Sequence, residues 1–263
     1  MTGSFFTHFG MGTHYGSSAT VACQQLIFNW GYISPGSMYI VGHRGARSPG
    51  PENTCKAVRY AMRCAEYVEV DIRLSRDRVP VIMHDPTIDR TTNGSGRVAD
   101  MTYGELSALD AGEGEHVPSL MEVCSLVRGI CGLFVEIKEP GSELEVCKIL
   151  DKEAPSPLLV VSFHRASLEM VSEMLPGTAT GFIYSRPVPD APTMASRKNI
   201  RVILPRSDLL TPELVADAQS RDIEVVPWTL DDLELWEKAK KMGVDGFVSD
   251  NPCSARQWLE GAG

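Results

Sequence analysis

"YVEVDIRLSRDRVPVIMHD" spans residues 67–85, and the reading of its second half decides the fold. The first half alternates. Glu69 and Asp71 fall on one face of an extended strand, and Val68, Val70 and Ile72 on the other. A second apolar run, "VPVIMHD", begins at Val79, eight residues after Asp71. That gap cannot hold a helical crossover, which takes about a dozen residues or more. The run therefore reads as the return strand of an antiparallel hairpin. A tight turn centred on Arg76-Asp77 sets His84 opposite Glu69, on the same face as the acids. Pro80 is compatible with an edge strand. On this reading a slip of one residue turns His84 away from the acids.

With that run set aside, eight strand candidates remain, at 38–43, 67–72, 133–138, 158–163, 180–185, 200–205, 223–228 and 245–250. Helical runs lie between them, at 53–66, 119–129, 143–153, 165–175, 190–198, 211–221 and 231–242. Thr211 ahead of Pro212-Glu213, and Thr229 ahead of Asp231-Asp232, read as helix caps. Eight alternations over roughly 220 residues have the size and rhythm of an α/β (β/α)8 barrel of the TIM type. It carries a hairpin after strand 2 and a short insertion, 86–118, before strand 3. A doubly wound open sheet is the competing architecture, but "GHRGARSPG" does not match the Gly-rich phosphate loop that would follow its first strand.

Residues 1–37 mix Gly, Ser, Thr and aromatics without periodicity. They lack the basic start and continuous apolar core of a secretory signal. They read as an extension outside a core domain of 38–263, with Met38 a candidate start. No stretch reaches the ~20 apolar residues that span a bilayer. The net charge of −9 argues against a nucleic-acid partner. The seven cysteines are scattered and form no CxxC pair, which reads as reduced core thiols in a cytoplasmic protein.

In a barrel the aliphatic faces pack on the helices and the acids point inward. Two carboxylates there repel each other and lose solvation. Ion pairing with Arg73 or Arg44 is the purely structural account. "FVEIKE" repeats the pattern, with Glu136 and Lys138 on one face. Glu69, Asp71 and Glu136 make a hard-oxygen donor set suited to Mg²⁺ or Ca²⁺ rather than zinc. His43 and His84 also fall at strand C-termini, the face where barrel active sites lie.

"HRGARSPGPENT", "EVDIRLSRDRVPVIMHD", "TIDRTTNGSGRV", "VPSLMEV", "FVEIKEP", "SFH", "VVPWTLDD" and "GVDGFVSDNP" occur in that order. Together they resemble the glycerophosphodiester phosphodiesterase family over about residues 39–252. The resemblance implies His43 and His84 as an acid/base pair. It implies Arg44 and Lys138 as phosphate-binding residues, and Glu69, Asp71 and Glu136 as ligands of a divalent metal. Trp228 would line the substrate pocket, or else be a core tryptophan. Asn53 matches the family's PENT motif, or simply caps the first helix. The hairpin turn departs from the family, reading RDR where a Gly is common. The implied reaction is metal-dependent hydrolysis of a glycerophosphodiester to glycerol phosphate and an alcohol. A lysophospholipase D-type activity and a non-catalytic phosphodiester-binding barrel are the alternatives. The preferred alcohol and the oligomeric state are not expressed in these motifs.

Overall fold

The computed structural model describes residues 38–261. The reading of 1–37 as an extension lies outside the described residues, as does Cys23. Strands and helices alternate as β1 (Tyr39–Gly42), α1 (Cys55–Ala61), β2 (Tyr67–Leu74), β3 (Pro80–Ile82), α2 (Tyr103–Ser107), α3 (Leu120–Val127), β4 (Gly132–Ile137), α4 (Glu143–Glu153) and β5 (Leu158–Ser162). They continue as α5 (Arg165–Met174), β6 (Ala179–Tyr184), α6 (Ala191–Arg197), β7 (Val202–Pro205), α7 (Pro212–Gln219), β8 (Glu224–Val225), α8 (Leu233–Met242), β9 (Gly246–Ser249) and α9 (Pro252–Gly261).

Eight of these strands pair in parallel in the order β8-β7-β6-β5-β4-β2-β1-β9, with β3 off the path. Backbone bonds from Asp245 to Val225, Val248 to Pro227 and Leu230 to Val248 join β9 to β8 and the segment after it. The result is a nearly closed (β/α)8 barrel. Its lumen is filled mainly by strand residues, among them Tyr39, Val41, Phe134, Leu159, Val161, Ile183, Val202 and Leu204, with Val226 from just beyond β8. The intervening strand residues, such as Val68, Val70, Leu133 and Val135, pack outward on Val58, Leu120, Val123 and Val146 of the helices. This is the period-two division read from the sequence.

The ninth run is the antiparallel partner of β2, as expected, but its register differs by one residue. Ile72 faces Ile82, Arg73 faces Val81 and Leu74 faces Pro80. The turn is one residue longer than a turn centred on Arg76-Asp77. Ser75 and Val79 close it, and Arg78 takes the left-handed conformation at φ 62°. A three-residue hairpin loop commonly ends on such a residue, usually a glycine. His84 therefore does not pair opposite Glu69. The Met83 amide still bonds the Asp71 carbonyl at 2.9 Å, and the chain then leaves the strand path, so the slip does not remove His84 from Asp71, whose charge it still feels. The Arg73 Nε donates to the His84 carbonyl at 2.9 Å and fixes the turn-away.

Residues 86–118 form a small cap with its own core. Ile88, Val98, Leu106, Ala111 and Val117 pack on Val81 and Met83 of the hairpin. Three further expectations need correction. The cap of α8 is Asp232, which accepts from the Leu235 amide, rather than Thr229. Helices α2 and α9 had no counterpart in the pattern reading. Cys64 and Cys253 are joined in a disulfide, because the end of α1 and the start of α9 meet across 189 residues of sequence. Cys55, Cys124, Cys131 and Cys147 are buried thiols, as expected.

Candidate active site

The site is built where β1, β2 and β4 end. After β1 the chain turns through two left-handed residues, Arg44 at φ 50° and Gly45 at φ 81°. A Cβ on Gly45 would lie 2.6 Å from the Ala57 carbonyl carbon, so only glycine lets the turn rest on α1. The turn aims the Arg44 amide at Glu69 Oε2, 2.8 Å away, and the Gly45 amide at the Glu69 carbonyl.

Register brings the third acid in. Asp71 on β2 lies directly beside Glu136 on β4. Ligand oxygens of Glu69, Asp71 and Glu136 lie within 4.8 Å of one another, and all three residues are buried. Lys138 Nζ sits 2.7 Å from Glu136 Oε1 and 3.2 Å from Asp71 Oδ1. Arg44 Nε lies 3.3 Å from Asp71 Oδ2. Arg73 does not pair with the acids; it bonds Glu139.

The three carboxyls divide electrostatically. Burial raises Glu69 well above the usual carboxylate range, and the charges of Asp71 and Glu136 add to this. Burial and Asp71 push Glu136 up to about 7. Burial would raise Asp71 too, but Lys138, Arg44 and His84 outweigh it and hold Asp71 at about 2. Glu69 Oε1 is buried with no hydrogen-bond partner. Crowded hard oxygens, one of them unpartnered, fit a divalent cation of the Mg²⁺ or Ca²⁺ kind.

Each histidine is backed by a carboxylate. His43 Nδ1 meets Asp250 Oδ1 at 2.5 Å, and His84 Nδ1 meets Asp85 Oδ1 at 2.6 Å. A carboxylate at Nδ1 keeps the proton there and leaves Nε2 to exchange one. Burial lowers the His84 pKa, with Lys138 adding to the shift and Asp71 and Asp85 opposing it.

Residues 43–254 match the Glycerophosphoryl diester phosphodiesterase family. The chain belongs to that family. It is an enzyme of the phosphodiester hydrolase class. A glycerophosphodiester phosphodiesterase of Caldanaerobacter subterraneus subsp. tengcongensis is 35% identical over 228 residues, which cover 81% of this chain and 94% of that protein. An Oleispira antarctica phosphodiesterase, solved in complex with the product sn-glycerol-3-phosphate, shares the fold at a TM-score of 0.80 and 26% identity, over 84% of this chain and 96% of its own. A glycerophosphodiester phosphodiesterase from Agrobacterium tumefaciens matches with a TM-score of 0.76 and 26% identity, over 84% of this chain and all of its own.

In this phosphodiesterase Glu69, Asp71, Glu136, Arg44 and Lys138 meet at one mouth, and the His84 charge acts on Asp71. Trp228 is half-buried, with its indole N–H on the Leu204 carbonyl and its ring edge-on to Phe163 at 5.7 Å. Lys138 Nζ lies 5.9 Å from the centre of the same Phe163 ring. Phe163, in "SFH", thus lies between Lys138 and Trp228, a position that no local pattern in the sequence marks. Asn53 does not cap α1; Thr54 does. Asn53 instead donates to Asp71 Oδ2 at 2.8 Å, from a left-handed backbone at φ 58°. Asp250, Asp85 and Glu52 were missed. Asp85 follows His84 directly and Glu52 precedes Asn53, so both had a local signal. Asp250 lies in "GVDGFVSDNP", but at 207 residues from His43 nothing local ties it to that histidine.

Proposed function

We propose that this phosphodiesterase hydrolyses glycerophosphodiesters to sn-glycerol 3-phosphate and an alcohol, with His43 and His84 as acid/base pair and Glu69, Asp71 and Glu136 as ligands of one Mg²⁺ or Ca²⁺. The observation that carries the reading is the buried carboxylate triad set beside Arg44 and Lys138. A bound cation supplies positive charge where the transition state accumulates negative charge. Arg44 and Lys138 hold the phosphate oxygens and lower the resistance of an anionic diester to attack. His84, which burial favours as neutral imidazole, accepts the proton of the attacking hydroxyl. His43 donates one to the departing alcohol. The attacking hydroxyl is that of the glycerol next to the phosphate, and water then opens the cyclic phosphate with the two roles reversed. Trp228 and Phe163 form the aromatic side of the substrate pocket.

Domain 38–263 is the catalytic unit in this proposal, supported by a family match that runs from 43 to 254. The described residues contain no helix long and apolar enough to cross a membrane. A cytoplasmic location rests on the four buried thiols; the Cys64–Cys253 bond weighs against it, and cell fractionation decides between them.

The test is turnover of glycerophosphocholine with and without EDTA, followed by Mg²⁺ and Ca²⁺ add-back. Loss and recovery of activity is the expected result. Turnover that ignores EDTA removes the cation from the mechanism. Binding without turnover under every metal leaves a phosphodiester-binding barrel. Preferential turnover of lysophospholipids makes the enzyme a lipid phosphodiesterase.

A further inference from the structure

The two carboxylates behind the histidines are themselves held, and in the same way. Asp250 accepts from His43 at Oδ1 and from Arg47 Nη1 at Oδ2, the latter at 3.1 Å. Asp85 accepts from His84 at Oδ1 and from Arg90 Nε at Oδ2, each at 2.6 Å. Both arginines then converge on Glu52. Arg47 Nε donates to Glu52 Oε2 at 3.0 Å, and Arg90 donates to both Glu52 oxygens at 2.7 and 3.0 Å. Glu52 also accepts from Arg44 Nη1 at 2.7 Å.

The chain His43–Asp250–Arg47–Glu52–Arg90–Asp85–His84 is therefore continuous, and its charges alternate in sign. Its members come from the loop after β1, the loop after β9 and the segment after the hairpin. No single element of the fold relates the two histidines. We propose that Glu52, Arg47 and Arg90 form a brace of positioning residues that fixes both imidazoles, in tautomer and in mutual orientation, for proton transfer. The inference rests on the acid/base roles given above to His43 and His84.

Two physical points support it. A carboxylate bonded at one oxygen only can swing about its Cβ–Cγ bond; the arginine on the second oxygen removes that freedom. The Glu52 side chain is 9% exposed, and although burial favours its neutral form, Arg90 and Arg44 hold it at about 2. The centre of the brace is thus an anion throughout the working pH range. Arg47 and Arg90 are each 44% exposed, so their loss leaves the barrel core intact.

The experiment measures kcat, KM and imidazole ¹⁵N and Nδ1–H resonances for Arg47→Gln, Arg90→Gln and Glu52→Gln, with thermal midpoints as a folding control. Misplacing a proton-transfer group costs roughly tenfold to 10²-fold in rate. Each arginine variant should lower kcat by that amount and leave KM near wild type. Arg47→Gln should perturb the His43 resonances and Arg90→Gln those of His84, while Glu52→Gln perturbs both sets. Wild-type kcat in all three variants overturns the brace. So does a change confined to KM, which would make the arginines substrate contacts, or a lowered midpoint with unmoved resonances, which would make them structural. If the wild type turns over no glycerophosphodiester, the catalytic reading fails, and the resonances still test the brace by themselves.

Discussion

The inner face of the barrel has two unlike halves. On β1, β2 and β4 the inward positions rise from Tyr39, Val41, Tyr67 and Phe134 to a rim of His43, Glu69, Asp71, Glu136 and Lys138. On β5, β6 and β7 the same positions carry Leu159, Val161, Ile183, Val202 and Leu204. Both halves follow one period-two rule and sit in one parallel sheet. They differ in what burial does. The aliphatic half gains by leaving water. The charged half holds two glutamates, Glu69 and Glu136, that burial and the charge of Asp71 push toward protonation, offset only in part by neighbouring cations. A fold selected for stability alone would extend the aliphatic half around the ring, so the charged half is retained for chemistry.

Breaking the charged half should cost activity rather than stability. His43→Ala and His84→Ala should each lower kcat by about 10²–10⁴-fold, the usual share of general acid–base catalysis. Their thermal midpoints should stay near wild type. Near wild-type turnover under saturating metal would take either histidine out of the mechanism.

The aliphatic half should answer the other way. Leu159 is 4% exposed in the lumen, and Leu159→Ala should cost about 2–5 kcal/mol in urea unfolding. Turnover of the folded protein should persist. A variant that kept its stability but lost activity would erase the distinction between the halves.

A smaller effect separates the halves by pH. Glu52 ionises at about 2 in the fold against an ordinary 4.5, because Arg90 and Arg44 outweigh its burial. Its folded pKa is depressed, so its stabilising contribution is whole above pH 4.5 and fades as pH falls toward 2. The gap in urea midpoint between wild type and Glu52→Gln should therefore be constant from pH 5 to 7 and narrow below 4.5. Leu159→Ala should show a gap with no such trend. A Glu52→Gln gap that widens on acidification would reverse the sign of the assigned shift.

The smallest effect belongs to the hairpin that serves the charged half. Arg78 holds φ 62° and bonds Glu145 and the Gly141 carbonyl from an exposed position. Exposed pairs of this kind are screened by solvent and contribute little, whereas the left-handed backbone is unfavourable for a residue with a Cβ. Arg78→Gly should therefore leave the urea midpoint at or slightly above that of the wild type. A clear loss of stability would show that these two contacts set the hairpin register.

Local pattern in the sequence determined much of this molecule. Alternation in "YVEVDI" and "FVEIK" assigned Glu69, Asp71, Glu136 and Lys138 to the inner face, because side-chain direction in a strand depends on parity alone. Chain length between Asp71 and Val79 determined the hairpin, because eight residues cannot cross over. The barrel, its eight strands and the acids were legible for those reasons. Tertiary structure decided what lies beside what. The placement of Asp71 next to Glu136 depends on the register between β2 and β4. The meeting of His43 with Asp250, and of Cys64 with Cys253, depends on the last strand and helix returning to the first. The hairpin register turned on one left-handed arginine, which no alternation of apolar residues encodes. Parity is a property of a strand by itself, whereas register and closure are properties of pairs of strands far apart in the chain, set by packing of the whole barrel.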